Sequence, residues 1–500
     1  MPTNSRPPKL DSLPLLSTGI EGLDRVLGGG FTPNRLYLVE GVPGAGKTTL
    51  ALEFLLEGVR LGETVLCVTL SETEEELSSV AASHGWTLDK VMVLEMIPSE
   101  ESLLPDQQYT VFHPSEVELS ATTKKILAEV ERLKPSRVVF DALTQLRLLA
   151  GNQLHYRRQI LALKQFLHTH GCTVLVLDDV TSLDHDPQIQ SISHGVVTLE
   201  RLSPQFGAER RRLLVSKFRG RQYQGGYHDF IIQRGGLLVF PRLIVGARKE
   251  PADARRLSSG VAEMDALLGG GIDRGSSTLI IGASGTGKST LAAQFVAAAA
   301  ERGEAAAMFV FSENLNTLLT RCNGLGIQLR KHADAGTVTL QQIDPAELSP
   351  GEFAHTIRSF ADRPNAAIVV IDSLNGYLNA MPEERFLVVQ LHELLSYLGN
   401  RGVATLLVGA NQGLIGGPLA TPVDVSYLAD AVVLLRYFES RGELRQAISV
   451  VKNRGGAHER TIREYRLDRG GISLGEPLRE FRGVLSGIPA EEGETGPPTL

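Results

Sequence analysis

Two short stretches of this chain carry the residue types and spacing that hold phosphate. Gly41-Val42-Pro43-Gly44-Ala45-Gly46-Lys47-Thr48 and Gly282-Ala283-Ser284-Gly285-Thr286-Gly287-Lys288-Ser289 both fit G-x-x-x-x-G-K-[ST], the second beginning 241 positions after the first. Glycines let the backbone curl so that successive N–H groups face phosphate oxygens. The lysine then reaches the β- and γ-phosphates, and the Thr or Ser hydroxyl holds Mg²⁺. Candidate phosphate contacts are therefore Gly41, Gly44, Ala45, Gly46, Lys47, Thr48 and Thr49, with Gly282, Gly285, Thr286, Gly287, Lys288, Ser289 and Thr290 in the second copy.

Carboxylates follow each loop. Arg137-Val138-Val139-Phe140-Asp141 and Ala367-Ile368-Val369-Val370-Ile371-Asp372 read as buried strands ending in an aspartate. An aspartate there can complete a Mg²⁺ shell with Thr48 or Ser289, or merely cap the next helix. Glu72 and Glu313, each after a serine at a strand end, can orient the water that attacks a γ-phosphate. The plainer reading is an acidic helix start. Lys217-Phe218-Arg219-Gly220 and Lys452-Asn453-Arg454-Gly455 place two cations on one strand face. They suit a γ-phosphate reached from a neighbouring subunit; the alternative is a solvated basic edge.

These groups need strands that end at one place. Arg35-Leu36-Tyr37-Leu38-Val39 and Thr278-Leu279-Ile280-Ile281 lead into the loops, and helical patterns beginning at Leu50 and Leu291 follow. Residues 19–30 match residues 260–271 at six of twelve positions, again offset by 241. Apolar strands alternate with helical stretches in both copies, which predicts an α/β chain of two domains, each a mostly parallel sheet flanked by helices. The expected boundaries are a disordered 1–11, a first domain at 12–246, a linker at 247–256, a second domain at 252–484 and a disordered tail at 485–500.

Bulk properties narrow the classes. A net charge of −7 speaks against a whole-surface nucleic-acid binder. Cys67, Cys172 and Cys322 sit singly in apolar segments, as buried thiols of a reducing compartment do. The proline-rich start does not resemble a signal peptide, and no run approaches the ~18 apolar residues of a membrane span, so a cytoplasmic protein is expected. His168, His170 and Cys172 straddle a helix–strand junction and would point apart, so they are not read as metal ligands. Asp178-Asp179 follows a strand and could sense a γ-phosphate; its counterpart in the second copy is read as Ala410-Asn411.

Gly-rich lead-in, phosphate loop, strand-end Glu, strand-end Asp and Lys-x-Arg-Gly, in that order and twice over residues 12–484, resemble the RecA-superfamily ATPases of the KaiC type. The doubled Lys-x-Arg-Gly is the most specific part. The resemblance implies tandem RecA-like P-loop domains that bind ATP and Mg²⁺ and hydrolyse ATP slowly. It also implies a homohexamer of two stacked rings with ATP between neighbours, serine/threonine autophosphorylation in the second ring, and signalling partners. Ser71 and Ser312 stand where clock members have the first of two glutamates, and the phosphoacceptor pair falls on Ser426-Tyr427, leaving Ser426 alone as acceptor. A KaiC-like ATPase outside a full clock is the expectation. A DNA-handling motor or recombinase on the same core is the alternative, with Arg210, Arg211, Arg212 and Arg221 as its basic cluster. A regulatory scaffold that holds ATP in one ring is a third reading.

Overall fold

A computed structural model describes residues 14–96, 114–150, 152–180, 187–204, 207–244, 255–379, 387–410, 427–484 and 490–491. The chain forms two compact units, Met1–Arg242 and Leu243–Leu500. Each is a RecA-like α/β domain built on a nine-stranded sheet, and the two sheets share one strand order.

In the first unit the order runs Met92–Glu95, Val65–Thr69, Arg137–Asp141, Thr173–Asp179, Leu36–Gly41, Gly195–Leu202, Arg210–Phe218, Tyr227–Gln233, Gly236–Phe240. The second repeats it as Val338–Gln342, Ala305–Val310, Ala366–Asp372, Ala404–Ala410, Ser277–Gly282, Ala431–Ser440, Glu443–Asn453, Arg463–Asp468, Gly471–Pro477. Neighbours among the first six strands pair in parallel and the last three add antiparallel pairings. The inner strands are near-continuous apolar runs because helices cover both faces. Val39, Val139 and Leu175 join Leu50 and Phe54 in one core, whereas their neighbours Leu38, Phe140 and Val176 join Val68 and Leu163 in the other.

Parallel strands bring their C-terminal ends to a common sheet edge. Gly41 pairs with Asp179, and Thr69 with Asp141, so loop and carboxylates meet there. Helices Lys47–Arg60 and Lys288–Glu301 start at the same edge. Their N-caps, Gly46 at φ 104° and Gly287 at φ 90°, lie in the left-handed region that favours glycine.

Three details differ from the expected boundaries. Leu243, read as part of the first copy, is buried in the second unit's core with Leu279, Phe309 and Leu434. Arg256, read as linker, is already in strand Arg256–Leu257, paired with Ile272–Asp273. Within 485–500, Ala490–Glu491 pairs with Phe481–Arg482. Backbone pairing needs no apolar side chain, so composition carries no sign of it.

Candidate active sites

In the first unit, Lys47 is buried and folded back on its own loop. Its Nζ donates to the carbonyls of Gly41 (2.9 Å) and Val42 (3.0 Å) and pairs with Asp179 Oδ1 at 2.7 Å. Thr48 Oγ1 donates to Asp141 Oδ2 at 2.8 Å. Burial holds the Asp141 carboxyl above the usual carboxylate range; Thr48 and Lys47 oppose that, and Asp179 adds to it. Ala45 and Thr49 are buried, so both can offer a ligand only their backbone. A Cβ on Gly41 would lie 2.4 Å from Leu199 O, which explains the first glycine of the motif.

Glu72 stands close enough to Asp141 to feel its charge. Burial first, then Asp141 and Glu76, push its carboxyl up. Its Oε2 is buried without a hydrogen-bond partner. The backbone holds it there: Thr69 Oγ1 donates to Glu72 O (2.6 Å) and accepts from Glu72 N (3.1 Å). The cap of the next helix is Thr73, in a capping box with Glu76, so Glu72 is not spent as a helix start.

The second unit repeats the cradle and changes its surroundings. Lys288 Nζ donates to Ala283 O at 2.7 Å, and burial lowers its pKa against the pull of Asp372. Thr286 is fully buried with its hydroxyl on Ala283 O at 2.8 Å, while Thr290 is buried in the helix. Burial raises the Asp372 carboxyl, eased by the Ser289 hydroxyl, and Oδ2 is buried without a partner. Ser373 Oγ accepts from Gly376 N (3.1 Å), which leaves Asp372 out of the helix cap. One hydroxyl and one aspartate per cradle, with open oxygen valence, are ligands that Mg²⁺ accepts alongside water.

Glu313 is clamped: both its oxygens accept from Arg321, the Nη2–Oε2 contact at 2.8 Å. Val80 stands 241 positions before Arg321, partly buried against the first unit's core. Register also corrects the alignment of Asp178-Asp179. Gly41 pairs with Asp179 and Gly282 with Ala410, so the counterpart is Gly409-Ala410. No acid therefore faces Lys288 from that strand. Asn375 bonds the backbone N (2.8 Å) and O (3.2 Å) of Ala410.

The Lys-x-Arg pairs lie elsewhere. Lys217 pairs with Val196 and Phe218 with Gly195, which itself pairs with Tyr37 at the start of the loop's strand. Lys452 likewise pairs with Val432, near Thr278. Tyr37 is four residues before Gly41, roughly 13 Å at the usual strand rise. Lys217 Nζ donates to Gln190 O (2.5 Å), Arg219 Nη2 to Ser191 O (2.8 Å) and Lys452 Nζ to Ala429 O (2.7 Å), while Arg454 is exposed. Cradle, aspartate and glutamate are thus brought together in each unit, and the cation pairs are not. Ser426 lies outside the described residues.

Other signals resolve locally. His168 Nδ1 contacts Asn34 O (2.9 Å), His170 Nδ1 contacts Phe166 O (2.9 Å) and Cys172 Sγ donates to Pro135 O (3.1 Å), three separate destinations. Arg211 pairs with Glu209 (3.0 Å) and Arg212 with Glu200 (2.7 Å) while stacking on Tyr227, so much of the basic cluster is neutralised within the fold. The pairings of Asp179 with Lys47 and of Arg321 with Glu313 are not evident from the sequence. An acid at a strand end is the only trace of the first; nothing local marks the second.

The sequence model of the KaiC ATPase matches residues 16–244 and 257–479, one match on each unit. The chain belongs to the KaiC ATPase family. Among similar proteins are the circadian clock protein KaiC3 of Synechocystis sp., 26% identical over 96% of this chain and 95% of that protein, and the circadian clock oscillator protein KaiC of Picosynechococcus sp., 28% identical over 98% and 95%. The KaiC of Thermostichus vulcanus is 28% identical over 98% of this chain and 93% of its own length. As a KaiC-family ATPase, the chain binds and hydrolyses ATP. Among the described residues no helix is long and apolar enough to cross a membrane.

Proposed function

We propose that each unit hydrolyses Mg·ATP at a site completed by a second copy of the chain, within a homohexamer of two stacked rings that serves regulation. The observation that carries this reading is the position of Lys217, Arg219, Lys452 and Arg454 at the sheet end away from their own loops. A cation pair some 13 Å along the sheet from its own cradle meets a γ-phosphate only on another copy. Lys47 and Lys288 neutralise the phosphates, Thr48 with Asp141 and Ser289 with Asp372 hold Mg²⁺, and Glu72 orients the attacking water. Glu313 has the same place in the second unit. The metal supplies positive charge where the transferred phosphoryl group gathers negative charge.

Phosphoryl transfer to a hydroxyl of the chain itself, with Ser426 as acceptor, belongs to the same reading, and mass spectrometry after incubation with Mg·ATP tests it. Signalling proteins are the expected partners, by analogy with relatives named as clock proteins. A DNA motor is less well supported, because Glu200 and Glu209 already neutralise Arg211 and Arg212.

Subunit mixing tests the shared site. In a Lys288→Ala background, Lys47→Ala chains and Arg219→Ala chains are each expected to lose first-unit turnover. Mixed rings regain intact Lys47–Arg219 interfaces and should recover part of it. No recovery, in rings shown to have mixed, contradicts the reading.

A further inference from the structure

At the sheet edge away from the phosphate loop, the first unit has a cavity of about 190 Å³ between the start of strand Leu36–Gly41 and the end of helix Gln153–Thr169. Arg35, Lys164, His168 and His194 line it. Lys217 and Arg219 are near enough for their charges to bear on His194, as do those of Arg35 and Lys164. Burial, followed by these four cations, lowers the imidazole pKa to about 4, so the ring is neutral. Its Nε2 is buried and has no hydrogen-bond partner among the described residues.

Among the described residues, carbonyls and one imidazole are what these cations meet. Arg35 donates to Asn34 O (2.9 Å) and also meets His168, Lys164 donates to Ile192 O (2.6 Å), and Lys217 and Arg219 donate to carbonyls of residues 190 and 191. Among the described residues no carboxylate pairs with any of the four. Carbonyl dipoles ease such a cluster but do not neutralise it.

The second unit is an internal control. Strand register places Asp430 where the first unit has His194; the offset of 231 between Val174 and Thr405, carried back along the preceding helices, places Leu395 at Lys164 and Gly399 at His168, and the 241 offset places Ser276 at Arg35. Asp430 is engaged there by Ser277 N (2.9 Å) and Ser277 Oγ (3.1 Å). Lys452 and Arg454 remain in the places of Lys217 and Arg219. The fold and the shared cation pair therefore do without the additional basic residues, and something other than folding accounts for them.

We propose that the cavity lined by Arg35, Lys164 and His194 is an oxyanion site of phosphate class, present in the first unit alone. Arg35 and Lys164 supply the charge, and the neutral His194 ring forms part of the wall. The anion is either free phosphate or the terminal phosphate of a nucleotide on a neighbouring copy, and the second source rests on the shared-site reading above.

Full-length Lys47→Ala/Lys288→Ala protein, whose phosphate loops no longer compete, is titrated with inorganic phosphate and pyrophosphate by calorimetry. Chloride at equal ionic strength is the control. Binding that weakens at least fivefold with Lys164→Gln and is lost with His194→Asp assigns the site to free phosphate. The melting temperature without phosphate shows whether each variant is folded, and Lys164→Gln alone suffices if His194→Asp is not. In parallel, assembly of the chain with intact loops is followed against a non-hydrolysable ATP analogue. No phosphate binding, together with at least a fivefold weaker analogue-driven assembly in Lys164→Gln, assigns the site to the neighbour's nucleotide. Neither phosphate binding nor an effect of Lys164→Gln on assembly overturns the proposal. Failure of the loop-intact chain to assemble at all refutes the shared-site reading instead, and the phosphate titration still decides the cavity.

Discussion

The two units share the parts proposed to hold phosphate and surround them with different ones. In the first, Lys47 is paired with Asp179 and Glu72 has an unpartnered oxygen beside Asp141. In the second, Ala410 leaves Lys288 without that partner, and Arg321 takes both oxygens of Glu313. The cradle and the proposed metal ligands are set by backbone and by strand ends, so duplication copies them faithfully. The groups proposed to meet water and γ-phosphate come from side chains outside the motif, where the copies have diverged. The comparison predicts a first unit equipped for hydrolysis and a second whose glutamate is restrained.

The largest effects separate the cradles. Lys47→Ala is expected to weaken nucleotide binding about 100-fold in the first unit only, and Lys288→Ala in the second only, since each removes a buried charge that contacts phosphate. Equilibrium binding of a fluorescent analogue to each variant measures it, and loss from both units in one variant breaks the comparison.

Next come the glutamates. Glu72→Gln should lower turnover of the first unit by roughly 10²–10⁴, the range for a positioned general base, while Glu313→Gln should change the second far less. Arg321→Val, which installs the first unit's residue, should raise second-unit turnover. Single-unit rates in Lys47→Ala and Lys288→Ala backgrounds check this, and equal losses in both units erase the distinction.

A smaller shift concerns Asp179. Asp179→Ala frees Lys47 and is expected to tighten nucleotide binding in the first unit about fivefold, the scale of a partly exposed ion pair. An unchanged dissociation constant shows that the pair yields to nucleotide without cost.

The last contrast lies behind the loop. Glu53, on the helix that follows it, is pushed up to about 8 by burial, against a bond from Leu237 N at 3.0 Å. The second unit has Gln294 at the same offset, donating to Ser259 O at 2.9 Å. Because the folded pKa exceeds the unfolded one, the folded state binds more protons between about pH 4.5 and 8. Stability of the first unit therefore falls as pH rises through that window. Glu53→Gln should flatten this loss, on the order of 2 kcal/mol at pH 8, in denaturant titrations at several pH values. A pH profile identical to wild type refutes it.

Much of this architecture is legible in the amino-acid sequence itself. Glycine spacing, apolar lead-ins and strand-end aspartates are local patterns, so both cradles, Thr48–Asp141 and the α/β class can be read directly. Asp179 is visible only as an acid at a strand end, because its partner, Lys47, lies 132 positions away and only sheet register joins them. Arg321 and Lys164 sit on helices that look ordinarily amphipathic, and what they face is set by tertiary packing.

Nucleotide stoichiometry tests the central claim most directly. Native mass spectrometry with Mg²⁺ and a non-hydrolysable ATP analogue should find two nucleotides per chain in the wild type, one in Lys47→Ala or Lys288→Ala, and none in the double variant. A wild-type chain that holds one nucleotide, or a double variant that still holds two, would contradict the duplicated-cradle account.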